Sequence, residues 1–257
     1  NIGGAATQIG DPPNIIIGAQ LSSQSLSGTS LASQSIGFSD FIIHVAQEVL
    51  IAIIPAFWLL RIIEKPGLSG NRVRNVDLLR LQYGIKDSAL LKKSGAILIV
   101  VILLFFAHSA FPHPLFTVAT IAIGGAVVML LVTSPHHVEE QLDSVEWTTI
   151  IFFAGLFIMI HGLQYMGLIE MIADLISDTV SKASEANRLM VAVLLLLWVS
   201  AIASAFIDNI PYTATMVPVV IELASDETLG LELGPLAWAL ALGACLGGNG
   251  TIIGASA

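Results

Sequence analysis

Apolar runs longer than any globular core requires constrain this chain more than any other feature. Phe41 to Ile63, Gly95 to Phe111, Leu115 to Thr133, Trp147 to Met166 and Leu189 to Ile207 each carry few or no charges. About 20 such residues, wound as a helix, cross the roughly 30 Å hydrocarbon layer of a bilayer. Within lipid only helices and closed barrels satisfy their own backbone. Repeated runs of this length therefore predict an all-α polytopic membrane protein. Composition agrees, because 55% of the residues are hydrophobic and only 11% are charged, where a soluble domain has about a quarter charged. A net charge of −9 without a basic–aromatic patch argues against nucleic acid as a partner. The single cysteine, Cys245, excludes a disulfide framework and a cysteine-based zinc site.

Two shorter apolar pieces, Asn14 to Leu21 and Leu236 to Leu246, are each half a span, and each abuts a glycine-rich motif. The motifs are NIGGAATQIGDPPN and GGNGTIIGASA, and Gly3–Gly10 agrees with Gly247–Gly254 at five of eight positions. Half-helices ending against glycine-rich backbone are the pattern of discontinuous transporter helices. The sequence has no initiator Met, no basic leader and no cleavage site. It begins and stops inside the two motifs, so the expectation is a fragment of a longer protein, truncated at both ends.

Orientation follows from the basic residues. Eight of the ten Lys and Arg lie between Arg61 and Lys93, so residues 64–93 are expected to be a cytoplasmic linker with an interfacial, partly amphipathic helix. LIEMIADLISDTVSKASEANR suits an amphipathic helix at the outer surface. The run Leu189–Leu223 holds DNIP near its middle. It reads either as two spans joined by a surface turn or as a hairpin that enters and leaves on one face. Spans flanking a surface turn would be too short, which favours the hairpin. Leu236–Leu246 then approaches its glycine motif in the sense opposite to the first copy, as an inverted repeat does.

Asp208, inside AIASAFIDNIPYTATMVPVV, is the most informative residue. A carboxylate at a helix centre costs about 2.5–3.5 kcal/mol, so it faces a cavity, a partner or a cation. It also suits an N-cap for the helix that Pro211 begins, and both roles can coexist where a break lines a cavity. Glycine lets the backbone turn its carbonyls inward. Those carbonyls, with the Thr7 or Thr251 hydroxyl and the Asn249 side chain, are oxygen ligands for an alkali cation. The helix after Asp11-Pro12-Pro13 offers free N–H groups to an anion.

Other motifs carry less. GGNGTIIG lacks the βαβ context of a dinucleotide loop, and Asn249-Gly250-Thr251 is a glycosylation sequon at membrane depth. Asp11 and Asp208 lack the sequence surroundings of an intramembrane aspartyl protease, and no other enzyme motif is present. His44 and Glu48 face the outer boundary or pair with each other, with a proton relay as the alternative. His161 and Glu170 fall near the outer interface.

NIGGAATQIGDPPN, SAFIDNIPYTATMVPVV and GACLGGNGTIIGASA together resemble the P protein (pink-eyed dilution) family of the ion transporter superfamily. That superfamily also holds citrate–metal transporters, arsenite pump membrane subunits, NhaD-type antiporters and divalent anion:sodium symporters. The resemblance implies inverted repeats, broken helices and re-entrant hairpins, with a cation between each hairpin tip and an unwound loop. Residues 1–63 would end the first repeat and residues 94–257 would form most of the second. The second site would comprise the tip Asp208, Asn209, Ile210, Pro211 and Thr213 with the loop Gly247, Gly248, Asn249, Gly250 and Thr251. The first half keeps its loop, Gly3, Gly4, Thr7, Gly10, Asp11, Pro12, Pro13 and Asn14. The dicarboxylate symporters have Ser-Asn-Thr where this chain has Asp208-Asn209-Ile210, which disfavours polycarboxylates and favours Na⁺ or H⁺ as coupling ion. The linker is also shorter than in vertebrate P proteins.

The expected function is secondary transport of an ion or small solute in a plasma or organelle (melanosome- or lysosome-like) membrane. An organellar anion channel and an arsenite or citrate transporter are the alternatives. No cofactor beyond the coupling ion is expected. The expected partners are the solute, the bilayer and a second copy of the chain in a homodimer.

Overall fold

The structure, a computed structural model, describes residues 2–65, 84–85, 87–110 and 116–251. The expected interfacial helix of the linker, and the end of the second glycine motif after Thr251, lie outside these residues. Among the described residues the secondary structure is entirely helical. The helices are α1 (Pro12–Gln20), α2 (Phe38–His44), α3 (Ala46–Ile63), α4 (Ser88–Ala110), α5 (Val118–Thr133) and α6 (Val138–Asp143). They continue with α7 (Trp147–Tyr165), α8 (Leu168–Ser181), α9 (Glu185–Phe206), α10 (Asn209–Ser225) and α11 (Leu233–Gly247). Four of them, α3, α4 over Ser88–His108, α7 and α9, are long and apolar enough to cross a membrane.

Two compact units form: Asn1–Ala52 with Trp147–Ala257, and Ile53–Glu146. In the second, α4 and α5 pack as a pair, so closely at Gly125 that a Cβ there would lie 2.4 Å from Val101 Cγ2. Thr117 caps α5 by accepting the Thr120 N–H at 2.9 Å, which starts the helix at Val118 rather than Leu115.

The first unit carries both glycine motifs and DNIP. Its centre is α10 and α11, where Val217, Val219, Val220, Leu236, Leu240 and Ala241 are fully buried. α9 lies against them with a stripe of Ala192, Leu196, Ser200 and Ser204, all fully buried. Its opposite face shows Trp198, Ile202 and Phe206 to the surroundings. Small and hydroxylated residues inside with large apolar residues outside is how helices pack in lipid, where apolar burial between helices gains nothing over contact with acyl chains. The amphipathic α8 buries Ile169, Ala173, Ile176 and Val180 along one side.

Three contacts set the register of α9 on α11. A Cβ at Gly243 would lie 2.6 Å from Leu197 O, one at Gly247 2.3 Å from Ala201 O, and one at Gly250 2.9 Å from Ala205 Cβ. Both sets of residues rise together, so the two helices run parallel. The Ser204 hydroxyl donates to Ala244 O at 2.7 Å across the same seam. α10 then returns, and Tyr212 Oη bonds Ser200 Oγ at 3.0 Å within the α9–α10 hairpin. At the hairpin's open end Arg188 Nη1 donates to Thr228 O at 3.0 Å. Asp226 closes the turn there, accepting the Thr228 hydroxyl and N–H, and these bonds hold its carboxyl below the usual range.

α1 runs antiparallel to α11. Asn14 at its start meets Cys245 near the end of α11, and Gln34, beyond its end, accepts the Leu233 N–H at 2.7 Å. At 9 residues α1 is about 13 Å long, half a bilayer core.

Three expectations change. The run Phe41–Ile63 is divided into α2 and α3 at Val45. His44 does not pair with Glu48 but stacks on Trp238, ring centroids 5.6 Å apart. α9 has 22 residues, about 33 Å, enough to cross a bilayer, so the argument that the helices flanking DNIP are too short fails for α9.

Gly247→Ala should force α9 and α11 apart and destabilise the protein by about 1–3 kcal/mol, the usual cost of overpacking. Gly155→Ala on α7, where a Cβ would meet nothing within 4 Å, should be neutral. Thermal unfolding of the full-length protein in detergent compares the two.

Candidate functional site

The first glycine loop, the second glycine loop and the DNIP turn all lie at one end of the first unit. The first loop opens with a 3₁₀ turn, Gly4–Ala6, and doubles back so tightly that a Cβ on Gly10 would lie 2.3 Å from Gly4 O. Asn14, fully buried, holds it closed: Nδ2 donates to Ala5 O at 2.9 Å and to Thr7 O at 3.0 Å. Its Oδ1 accepts the Cys245 thiol at 3.6 Å, so this side chain joins the first loop to α11.

The second loop leaves α11 with 3₁₀-like bonds, Asn249 N–H to Leu246 O and Gly250 N–H to Gly247 O. Asn249 Nδ2 donates to Cys245 O at 3.1 Å and Leu246 O at 3.2 Å, capping the last carbonyls of the helix. The Thr251 hydroxyl donates to Ala205 O, which ties this loop to α9 one turn before Asp208. Gly247 and Gly248 are buried and Asn249 is exposed.

At the hairpin tip Asp208 is the N-cap of α10: its Oδ1 accepts the Ile210 N–H at 2.9 Å. Asn209 is buried, Ile210 and Pro211 are half-buried, and Thr213 is fully buried with no partner for Oγ1. Pro211 O accepts the Thr215 hydroxyl at 2.9 Å.

The sequence leads one to expect loop carbonyls turned towards a cation. Instead Ala5 O, Thr7 O, Cys245 O, Leu246 O and Ala205 O each already accept a side-chain donor. Thr7 O also takes the Gly10 N–H and Leu246 O the Asn249 N–H, so neither of these two has a lone pair left for an ion. The first loop's other groups divide sharply. Gln8 is buried across Gly18 of α1, and its Oε1 has no partner. Asp11 is 6% exposed, makes no capping bond from its side chain, and leaves Oδ2 unpartnered.

The prolines explain why two aspartates at helix starts behave differently. After Asp11, Pro12 and Pro13 have no N–H to give, and the Asn14 N–H goes to Asp11's own carbonyl at 3.0 Å. After Asp208, Pro211 comes later and the Ile210 N–H remains available. Gln8 and Cys245 are the site residues that sequence reasoning passes over. The donor-free Asp-Pro-Pro run is the signal that could have singled out Asp11.

A family model described as citrate transporter matches residues 1–243. The P protein of Homo sapiens is 34% identical over 322 aligned positions, covering all of this chain and 38% of that protein. The P protein of Sus scrofa gives 34% over 322 positions and 37% of its length. An uncharacterized transporter of Mycobacterium tuberculosis (strain H37Rv) is 38% identical over 258 positions, covering all of this chain and 55% of that protein. The chain thus spans between about a third and about half of the length of these curated relatives.

Asn14→Ala should unfix the first loop, leaving Ala5 O and the Cys245 thiol without Asn14 while Thr7 O keeps the Gly10 N–H, at about 1–3 kcal/mol for each unpartnered group that stays buried. Lowered thermal stability and faster proteolysis within residues 3–14 are the expected readouts.

Proposed function

The chain belongs to the citrate transporter family, and on that premise we propose that it is part of a secondary active transporter moving an ion or small solute coupled to Na⁺ or H⁺. It is a multi-pass integral membrane protein with several apolar helices, and its relatives are named as transporters rather than enzymes. The observation that carries the reading is the meeting of three segments at one end of one unit. The hairpin tip reaches the second loop through Thr251 and Ala205, and the first loop reaches α11 through Asn14 and Cys245. Non-helical backbone at membrane depth survives only where it is buried in protein or lines a cavity, and such junctions are where transporters bind ions.

In this reading Asp208 and Asn209, with the backbone of Gly247, Gly248, Asn249, Gly250 and Thr251, hold the coupling cation. Asp208 spends Oδ1 on the Ile210 N–H, which leaves Oδ2 to the ion. Gly3–Thr7 and Asp11–Asn14 form the opposing, pseudo-symmetric half beside the solute. α1 and α11 approach this place antiparallel, as inverted halves would. Residues 64–93 face the cytoplasm by their basic charge. The family description names citrate, yet the acidic side chains of Asp11 and Asp208 would repel a bare tricarboxylate. Citrate would therefore enter with a cation if it is the solute.

A flux screen of the full-length protein in proteoliposomes tests this, with citrate, citrate with Mg²⁺, arsenite, tyrosine and chloride, each with and without Na⁺ and pH gradients. Saturable, gradient-driven uptake of one solute is expected. Asp208→Asn should cut the cation dependence by about tenfold or more, an ordinary coupling free energy. Transport and cation dependence intact in Asp208→Asn would remove Asp208 from the site, and unitary currents without saturable flux would make the protein a channel.

A further inference from the structure

The ionisable groups at the loop end are not equivalent. Asp208 is only half-buried and caps a helix. Asp11 is buried, caps nothing, and has an oxygen with no partner. An ionised carboxylate in that state is costly. Among the described residues no Lys, Arg or His forms an ion pair with it. Nor, among those described residues, do three His, Cys, Asp or Glu side chains gather to hold a metal ion.

We propose that Asp11, set against Cys245 and Asn14, is a proton-binding carboxyl of the first loop, separate from the cation site at Asp208. The step is simple. A proton adds to Oδ2, the side chain goes from carboxylate to neutral acid, and a new O–H donor appears where Gln8 Oε1 is the unpartnered acceptor in the same loop. The Cys245 thiol, which donates to Asn14 Oδ1 at 3.6 Å, also faces the Asp11 carboxyl group. It therefore meets a charged acceptor in one state and a neutral acid in the other. Because Asn14 clamps the loop through Ala5 O and Thr7 O, the charge on Asp11 acts on the clamp that shapes the loop.

The titratable and charged groups facing Asp11 are few. From α11 there is Cys245. On α10, which also packs against α1, Asp208 is turned to the Ile210 N–H, Tyr212 to Ser200, and Glu222 is exposed. The proposal rests on the transporter reading for its purpose but not for its test.

The test is pH-difference infrared spectroscopy of the purified full-length protein in detergent, with Asp11→Asn, Asp208→Asn and Cys245→Ala. Wild type should show a protonated-carboxyl C=O band that disappears as the pH rises, with the Cys245 S–H stretch shifting in step. Asp11→Asn should lose the C=O band and the coupled S–H shift, and Asp208→Asn should keep both. Cys245→Ala should lose the S–H band and keep the C=O band at a shifted frequency. A carboxyl band that persists in Asp11→Asn, does not titrate, or is bleached by Na⁺ at constant pH overturns the proposal. If Asp11→Asn does not fold, an unshifted C=O band in Cys245→Ala overturns it instead. Bands as expected without any gradient-driven flux would sink the transporter reading alone, and flux without the bands would sink only this one.

Discussion

The near contact of α9 with α11 is the constraint on which the rest of the first unit depends. In lipid the hydrophobic effect does not press helices together, so close van der Waals packing and interhelical hydrogen bonds must do so. Gly243, Gly247 and Gly250 let the backbone of α11 lie against Leu197, Ala201 and Ala205, and Ser204 adds its bond to Ala244 O. That parallel register places the DNIP turn beside the second glycine loop. Slipping α11 by one turn would carry Thr251 away from Ala205 and Cys245 away from Asn14. Here glycine serves close approach more than backbone freedom: Gly247 is still helical, and the loop begins only after it.

The same economy of donors explains the polar chemistry. Each loop is held by an asparagine acting as a double donor, Asn14 on Ala5 and Thr7, Asn249 on Cys245 and Leu246. The Asn14 bonds, being buried, add modestly when made and cost heavily when lost, whereas Asn249 is exposed. They leave Gln8 Oε1, Asp11 Oδ2 and Thr213 Oγ1 as the site's buried side-chain atoms without a partner. Proline placement then decides which carboxyl is satisfied, because a proline removes a donor wherever it stands.

Much of this was legible from residues alone. Run length marks the spanning helices and the shortness of α1, whereas α11 runs from Leu233 to Gly247, 15 residues and so longer than the half-span its apolar run suggests. The capping role of Asp208 follows from an Asp before a helix whose N2 N–H is intact. The start of α5 was missed because Thr117 caps it inside an apolar run, and the break at Val45 because hydrophobicity is continuous across it. The roles of Gly243, Gly247 and Gly250 depend on which helix lies opposite, and Cys245 matters only because Asn14 is 231 positions away in sequence and adjacent in space. Periodicity within one segment holds no information about either pairing.

Those long-range pairings have a consequence for how the chain tolerates change. Gln34 with Leu233, and Asn14 with Cys245, close loops across 199 and 231 positions. Residues 53–146 are therefore an excursion that leaves the first unit and returns to it. Closing a loop costs entropy only as the logarithm of its length, about 0.6 kcal/mol for each doubling. Length in the excursion is thus nearly neutral for the unit that holds both glycine loops, whereas one residue inserted between Gly243 and Thr251 would rotate every contact on α9. Relatives that align over 258 positions and over 322 can share one site wherever their extra residues fall within that excursion.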